Sequence, residues 1–554
     1  MCLPIRRHCL AVFSILAVLG CITVPARGAP PEAAFDILLR GGLVIDGTGK
    51  PGARADVGIR EGRIAAIGAL EASQGTIEID ADGLVVCPGF IDLHSHADRG
   101  ILQYRSAENY IRQGVATLVC GNCGMSPTNV AEFFGKLRDG GTGPNIALLI
   151  GHGSVREKIV GSRNVAPDEA QMTAMKREIR KAMEDGAVGM STSLRYGTGA
   201  FASAEEIAEL AKELAPYGGF YATHMREEGS QILEAIEEAL EIGRLSGTPV
   251  HISHHKIASA SVFGLTRLTL ERIEKARAAG VDVTLDQYPY GAGSSRLAVY
   301  VPQDSLSGGI EAFRERIADP EQHRKIAGQI EVLLLDKLYE PGQSPRNEAD
   351  NIRALARLQI ARAKQTPQFE GKNLTEVLQA RGEAVTLPNG AELLIELVSQ
   401  EVVGINHTLD AQPGGDVDRV MQYPLTSHAS DGAVFKFGEG NPHPRSYGCF
   451  PRVLGHYVRE RQLLSLEAAI RKMTWQPAQR LGWTDRGIVR EGAWADLAVF
   501  DPKTISDKAT FQKPHQYSVG VEHVIVGGEL VLHKGQMTGS LPGRPVGLPA
   551  KKSP

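Results

Sequence analysis

The chain has 554 residues, of which 42% are hydrophobic and 22% charged, a composition typical of a globular protein long enough to bury a large core. Its 60 basic and 64 acidic residues give a formal net charge of -4 at pH 7. There is therefore no basic excess to hold a polyanion, and we exclude a nucleic-acid partner.

The first 29 residues resemble an export signal. Arg6 and Arg7 precede the apolar run LAVFSILAVLG, and the small-residue segment ARGA follows it. The apolar run is too short to span a membrane comfortably. We therefore expect residues 1–29 to direct export to a bacterial periplasm. The run ends in VLGC and so also resembles a lipoprotein signal, which predicts a lipid anchor at Cys21 as the chain's contact with a membrane.

Both ends of the mature chain carry short strand patterns. FDILLRGGLVIDGTG and ADVGIREGRIAAIG alternate apolar and polar residues around glycine-rich turns, and GAWADLAVFDP and HVIVGGELVLHKG repeat the pattern near the other end. We expect residues 34–87 and 484–542 to build one small β-sandwich.

Between these segments, apolar strand-like runs alternate with amphipathic helical runs, the pattern of a parallel α/β fold. The helices are clear in SAEEIAELAKELAPYG and SQILEAIEEALEIGRLSG, each closed by a glycine. Eight strand-like runs can be distinguished, which predicts a TIM-type (β/α)8 barrel over residues 88–483. In chain order they are VVCPGFIDLHSH, ATLVCGNCG, IALLIGHGS, GAVGMSTSL, GFYATHMRE, TPVHISHHK, DVTLDQYPY and LTSHASDGA.

The connection before the eighth run is too long for one helix. Residues from about 296 to 420 are charged and helix-prone, as in RNEADNIRALARLQIARAKQ. A long insertion after a late barrel strand predicts an additional helical subdomain.

Several of the eight runs end in side chains that can bind a metal ion. Because catalytic groups of such barrels lie at the carboxyl ends of the strands, we expect these side chains to meet. Residues i and i+2 of a strand share a face, so His94 and His96 should point the same way. Imidazole and thiolate suit zinc, and a carboxylate can complete the set. The candidates are His94, His96, Cys123, His224, His254 or its neighbour His255, and Asp431.

Four cysteines lie outside the signal: Cys87, Cys120, Cys123 and Cys449. An even number of cysteines in an exported protein is compatible with disulfides. A domain with a large core has little need of them, so metal ligation and simple burial are competing interpretations.

The motifs GFIDLHSH, ATHMREEG, ISHHK and SDGA resemble those of the amidohydrolase superfamily. GNCG, LDQYPY, HPRSYGCFPRVLGHY and REGAWADLAVFDP narrow the resemblance to the N-acyl-D-amino-acid deacylase (D-aminoacylase) family, from about Phe35 to Gly539 apart from the insertion. The resemblance implies one tight zinc site and a second, weaker position. Cys123, His224 and His254 would form the first, and His94, His96 and Asp431 the second.

The resemblance further implies zinc-dependent hydrolysis of the amide bond of an N-acyl-D-amino acid. Asp431 would carry the proton from the attacking water to the departing amine. Lys256, Tyr288 and Arg445 would grip the α-carboxylate of the substrate, and Arg445 offers a bidentate fork. His152 and Ser191, Thr192 and Ser193 also lie at strand ends and are candidates for the pocket lining.

Three other functions remain as alternatives. A hydrolase of short peptides with D-residues, such as cell-wall fragments, would suit an exported protein. A cyclic-amide hydrolase of the hydantoinase kind would share the fold and the metals, but that group typically uses a carboxylated lysine on strand four, and GAVGMSTSL has no lysine. A non-enzymatic scaffold generally lacks metal ligands, whereas this sequence contains every expected ligand. The sequence does not indicate an oligomeric state.

Overall fold

The computed structural model describes residues 34–70 and 74–549. The expected export signal and the lipid anchor at Cys21 lie outside this part of the chain. None of the helices in the described ranges combines the length and the apolar character needed to cross a membrane.

The described ranges contain twenty strands and sixteen α-helices. The strands are β1 (Phe35–Val44), β2 (Ala53–Arg60), β3 (Arg63–Gly68), β4 (Gly75–Asp80), β5 (Val85–Pro88), β6 (Phe90–Asp92), β7 (Val115–Cys120), β8 (Asn145–Gly151), β9 (Gly189–Ser193), β10 (Phe220–His224), β11 (Val250–Ile252), β12 (Val283–Gln287), β13 (Gly293–Arg296), β14 (Leu358–Arg362), β15 (Val403–Asn406), β16 (Thr426–His428), β17 (Leu497–Phe500), β18 (Val521–Val526), β19 (Glu529–His533) and β20 (Gln536–Met537). The α-helices are α1 (Glu108–Ile111), α2 (Val130–Gly140), α3 (His152–Ile159), α4 (Glu169–Glu184), α5 (Ala204–Ala211), α6 (Ile232–Ser246), α7 (Thr266–Ala278), α8 (Gly309–Ala318), α9 (Pro320–Leu338), α10 (Glu348–Leu355), α11 (Leu374–Ala380), α12 (Leu387–Ser399), α13 (Asp416–Gln422), α14 (Arg445–Arg452), α15 (Leu466–Met473) and α16 (Trp475–Arg480), and a π-helix spans Val453–Glu460.

Eight parallel strands form a nearly closed barrel in the order β6-β7-β8-β9-β10-β11-β12-β16, and each of them falls in one of the eight predicted runs. The predicted (β/α)8 barrel is therefore confirmed. Strands β16 and β6 meet just beyond their carboxyl ends, where the amide of Asp431 donates to the carbonyl of His94 at 2.8 Å and the amide of His96 donates to that of Gly432 at 2.7 Å. The barrel thus closes at the residues predicted to bind metal.

Both ends of the described chain contribute to one nine-stranded sheet, with the path β20-β19-β18-β17-β5-β1-β2-β3. Strand β1 pairs with β4 through its first half and with β5 through its second, so the sheet branches and folds over a core of its own. The predicted β unit built from both termini is confirmed. The chain then runs back along the barrel, where Ile146 pairs with Arg544 and Val546.

The insertion lies between β12 and α13 and has its own hydrophobic core. Helices α8 to α12 pack with a three-stranded antiparallel sheet, β13-β15-β14, which the sequence did not predict. The sequence predicted a helical segment here, but helix α10 ends at Leu355. Residues Leu358–Arg362 instead form strand β14, because pairing in the sheet buries Leu358 and Ile360. Helix α13 packs on α7 and β16 and so belongs to the barrel's outer layer.

Candidate metal centre

His94 and His96 follow strand β6 rather than lying in it, because the strand ends at Asp92. Their rings nevertheless converge on one carboxylate: Nε2 of His96 lies 3.0 Å from Oδ1 of Asp431, and Nε2 of His94 lies 3.5 Å from the same oxygen. Ser95 between them turns away, and its hydroxyl donates to the carbonyl of Val119. The expected convergence is therefore present.

Cys123 lies in the loop after β7 and faces three imidazoles. Its Sγ lies 3.4 Å from Nε2 of His94, 3.8 Å from Nδ1 of His224 and 3.6 Å from Nε2 of His254. Burial opposes ionisation of this thiol, but the three rings outweigh it and hold its pKa well below the usual value. A thiolate is the form of cysteine that binds metal.

The buried donor atoms form two groups that share Cys123, and within each group all donor atoms lie within 4.8 Å of one another. One group is Cys123, His224 and His254; the other is His94, His96, Cys123 and Asp431. Imidazole, thiolate and carboxylate donors turned toward a common point fit a zinc-type ion. The resemblance implied Cys123 as a ligand of the tight site, and the geometry brings the same sulfur into the second group as well.

Three of these residues have left-handed backbone conformations: Cys123 at φ 52°, His254 at φ 37° and Asp431 at φ 49°. Positive φ is uncommon for residues other than glycine and costs free energy that the surrounding structure must offset. Only eight non-glycine residues in the described ranges adopt it, and three of them are candidate ligands. Such strain concentrates at functional sites.

His254 and its neighbour His255 have different environments. The ring of His254 faces Cys123, whereas Nε2 of His255 lies 2.8 Å from the hydroxyl of Thr269 on helix α7. Burial lowers the pKa of His255 to about 4, so its ring is neutral. The geometry therefore selects His254 as the candidate ligand.

Two acidic residues outside the predicted set orient the candidate ligands. Asp286 lies 3.1 Å from Nδ1 of His94 and accepts a hydrogen bond from the amide of His254 at 2.8 Å. Glu228 lies 3.1 Å from Nδ1 of His254. Metal-binding histidines usually present their second nitrogen to such a partner. The sequence carried a signal for them, because both residues stand inside the motifs LDQYPY and ATHMREEG.

Arg445, Tyr288 and Lys256 lie beside the donor cluster. Nη1 of Arg445 forms an ion pair with Oδ2 of Asp431 at 2.7 Å. Burial raises the pKa of Asp431, but this guanidinium together with the neighbouring histidines outweighs burial and holds that pKa well below its usual range. The guanidinium carbon lies 4.7 Å from the centre of the Tyr288 ring, and Nζ of Lys256 lies 5.8 Å from it. The three residues expected to grip a carboxylate are thus brought together.

Tyr196 also belongs to the site and was missed in the sequence. Its ring lies 5.0 Å from that of His224, and its hydroxyl interacts with Cys123. Burial, together with the negative charges of Cys123 and Asp431, holds the pKa of Tyr196 well above its usual value, so the phenol keeps its proton. Its only sequence signal is a tyrosine shortly after strand β9 in SLRYGTG.

The remaining candidates support the site from outside the donor cluster. The ring of His152 lies 2.9 Å from Glu206. Ser191 donates to the carbonyl of Gly121 at 2.5 Å and accepts from the amide of Gly124 at 3.0 Å, so it holds the loop that carries Cys123. Thr192 contacts Thr223 instead.

All four cysteines of the described ranges are buried and free, so no disulfide joins them. Cys120, three residues before Cys123, lies 3.7 Å from the Ser95 hydroxyl and is not part of the donor cluster. The two cysteines of the CGNC segment therefore have different environments.

Comparison with known proteins relates most of the chain to one group. The model of the Amidohydrolase family matches residues 78–532. The D-aminoacylase of Alcaligenes xylosoxydans xylosoxydans is 36% identical over 533 residues, covering 92% of this chain and 97% of the relative. The solved N-acyl-D-glutamate deacylase of Bordetella bronchiseptica, complexed with zinc and a phosphonate that mimics the tetrahedral intermediate, is 32% identical with a TM-score of 0.77, covering 94% of this chain and 100% of that one.

A solved D-hydantoinase is more distant. It is 14% identical with a TM-score of 0.51, covering 92% of this chain and 97% of that one. At this identity the likeness extends to the fold alone.

Proposed function

The chain belongs to the amidohydrolase family, and from that premise we propose that it hydrolyses the amide bond of N-acyl-D-amino acids with zinc, releasing a carboxylate and a free D-amino acid. The observation that carries the proposal is the buried cluster in which Cys123 faces His224 and His254 on one side and the His94, His96 and Asp431 group on the other. It combines a metal-binding donor set with a carboxylate positioned for proton transfer.

Cys123, His224 and His254 would hold the tightly bound zinc, and His94, His96 and Asp431 a second, weaker position. When bound, zinc supplies a Lewis acid that polarises the substrate carbonyl and lowers the pKa of water. No residue of strand β9 offers the carboxylated lysine of hydantoinases, and the thiolate of Cys123 stands between the two donor groups instead.

Asp431 would take the proton from the attacking water and pass it to the amine nitrogen that leaves. The carboxylate is ionised, as a proton acceptor must be. The contact with His96 at 3.0 Å and the ion pair with Arg445 fix its orientation. The protonated phenol of Tyr196 would donate a hydrogen bond to the carbonyl oxygen as charge develops there.

Arg445, Lys256 and Tyr288 would bind the α-carboxylate of the substrate. The positive charges of Arg445 and Lys256 both lie near the ring of Tyr288. The Tyr288 hydroxyl is buried and makes no hydrogen bond within the described residues, so it is free to donate to a ligand. A carboxylate held at three points would set which face of the α-carbon turns toward the metal, which supports selectivity for one enantiomer. That this is the D-form follows from the similarity to the D-aminoacylase relative.

The decisive experiment compares hydrolysis of N-acetyl-D- and N-acetyl-L-amino acids by the zinc-loaded protein, with D-dipeptides and a hydantoin in the same panel. We expect release of free D-amino acid to dominate. Faster hydrolysis of the L-forms would refute the proposed selectivity, and preference for D-dipeptides would favour the cell-wall-peptide alternative. A folded protein that binds no zinc would favour the scaffold.

We further propose that the protein is exported to the periplasm, where it would meet D-amino acids released from cell-wall material. The support is the pattern of Arg6 and Arg7, apolar run and ARGA in the sequence. Cell fractionation tests it, and metabolic labelling with a fatty acid tests the lipid anchor at Cys21. Recovery of the protein with an intact N-terminus in the cytoplasm would contradict export.

A further inference from the structure

The insertion has a buried charged anchor on the barrel. Lys337 lies on helix α9 and is only 6% exposed, and its ammonium forms an ion pair with Glu227, which follows strand β10. Arg195, after strand β9, pairs with the other oxygen of Glu227 at 2.7 Å. A buried ammonium is costly unless it is paired, so the position of α9 and that of the Glu227 loop depend on each other.

The anchored carboxylate also holds the backbone of the next two residues. Oε1 of Glu227, the oxygen that meets Lys337, accepts hydrogen bonds from the amide of Glu228 at 2.9 Å and from that of Gly229 at 2.7 Å. The loop is therefore fixed at the residue whose side chain enters the metal centre.

The carboxylate of Glu228 contacts the metal centre and the substrate-binding group together. Its Oε1 lies 2.6 Å from Nζ of Lys256 and 3.1 Å from Nδ1 of His254. Lys256 adds a contact of 2.8 Å between its Nζ and the same Nδ1. One side chain thus determines the orientation of a candidate zinc ligand and of a candidate carboxylate-binding cation.

We propose that Lys337 is a positioning residue for both: through Glu227 and Glu228, docking of the insertion sets the positions of His254 and Lys256. The insertion then does more than cover the barrel, because its seating would determine how firmly zinc is held and how well the substrate carboxylate is gripped. The effect on substrate binding rests on the proposed function, whereas the effect on zinc retention can be measured without a substrate.

Gly229 provides a second way to disturb the same contact. A Cβ at this position would lie 2.3 Å from Nζ of Lys337 and 3.0 Å from both Oε1 of Glu227 and Cβ of Ser259. The flexible end of the lysine must move furthest, and Glu227 and Ser259 must give slightly. The backbone of Gly229 is not in the left-handed region, so alanine adds no backbone strain there. Gly229→Ala should therefore displace the ammonium without altering a charge.

The first test measures the rate at which zinc leaves the purified holoprotein in excess chelator. We expect Lys337→Met and Gly229→Ala to release zinc about tenfold faster than the wild type, in the range seen when partners of metal ligands are removed. Lys337→Arg keeps the charge and should restore most of the difference. The matched control is Asp304→Asn, which weakens another insertion-to-barrel contact, the 2.9 Å hydrogen bond from Asn164, and should release zinc at the wild-type rate.

The second test measures steady-state kinetics with an N-acetyl-D-amino acid. We expect KM to rise about tenfold in Lys337→Met, the effect of weakening one hydrogen bond to a charged group, while kcat per bound zinc changes less. Wild-type zinc release and KM in both variants would overturn the proposal, as would equal effects in Asp304→Asn. If Lys337→Met does not fold, Gly229→Ala decides. A wild-type protein that holds zinc but hydrolyses no N-acyl-D-amino acid would refute the proposed function. The proposed effect of Lys337 on zinc retention would be unaffected by that result.

Discussion

The carboxylate of Asp286 lies 3.1 Å from Nδ1 of His94, and the other nitrogen of the same ring faces Cys123 at 3.4 Å. Asp286 also accepts hydrogen bonds from Nε2 of His251 and from the amide of His254, both at 2.8 Å. A carboxylate in this position fixes the tautomer and the direction of a metal-binding imidazole. Asp286 therefore connects strand β12 to candidate ligands after strands β6 and β11.

Replacing Asp286 should weaken metal binding without removing a ligand. We expect Asp286→Asn to lower zinc affinity at the second, weaker position about 10–100-fold, because the neutral amide no longer supports the basicity of His94. Competition with a chromophoric chelator measures the effect. Asp282→Asn is the matched control, since it removes an exposed carboxylate that precedes β12 and pairs with Arg480. Unchanged affinity in Asp286→Asn would show that the contact does not orient the ring.

The two neighbouring cysteines provide an internal control for the tight zinc site. Cys123→Ser should lose the tightly bound zinc, because a serine hydroxyl does not ionise at neutral pH and is a poor ligand. Cys120→Ser should keep it, since Cys120 lies outside the donor cluster. Zinc per chain after gel filtration in chelator gives the readout. Equal zinc content in the two variants would remove Cys123 from the site.

Asp431→Asn should separate proton transfer from folding. The amide keeps the shape of the side chain but cannot accept the proton of water, and general acid–base groups typically contribute about 10²–10⁴-fold to the rate. We expect a loss of kcat in that range. The variant should keep its fold, although its thermal unfolding temperature should fall, because the buried Arg445 loses its charged partner. A variant that turns over at the wild-type rate would exclude Asp431 as the proton carrier.

Tyr288 should be important for substrate binding and unimportant for stability. Its hydroxyl makes no hydrogen bond within the described residues, so Tyr288→Phe removes no internal partner and should not lower the free energy of unfolding. It should raise KM for N-acyl-D-amino acids about tenfold if the hydroxyl binds the carboxylate. Tyr290→Phe is the matched control: its hydroxyl is likewise buried and unpartnered within the described ranges, but its ring packs on Arg452 and Phe511. Equal KM values for the two variants would exclude the hydroxyl of Tyr288 from binding.

Much of this architecture could be predicted because it depends on local patterns. Each barrel strand is a short buried run, and the candidate ligands stand at the ends of these runs, so topology alone brings them to one face. Asp286, Glu228 and Tyr196 escaped prediction because their roles depend on the partners they meet in space. Strand β14 was not predicted because its composition favours a helix, whereas pairing with β15 determines its conformation.

Lys472 should make stability depend on pH. The ammonium on helix α15 is almost fully buried, and burial lowers its pKa to about 7 from the usual 10.5, although it donates to the carbonyls of Tyr423 at 2.5 Å and Thr426 at 3.1 Å. Between these two pKa values the unfolded chain binds the proton more tightly than the folded one. The lysine therefore lowers stability below pH 7, and this penalty is relieved as the pH rises from 7 toward 10.5.

Lys472→Met should remove that dependence. Relative to the variant, the wild-type free energy of unfolding should rise between pH 7 and pH 9, with a slope of at most about 1.4 kcal/mol per pH unit. The two carbonyls favour the charged form and so narrow the pH range over which the slope applies. Urea unfolding at pH 6, 7, 8 and 9 measures it. Parallel pH profiles for the wild type and the variant would mean that Lys472 keeps an ordinary pKa in the folded protein.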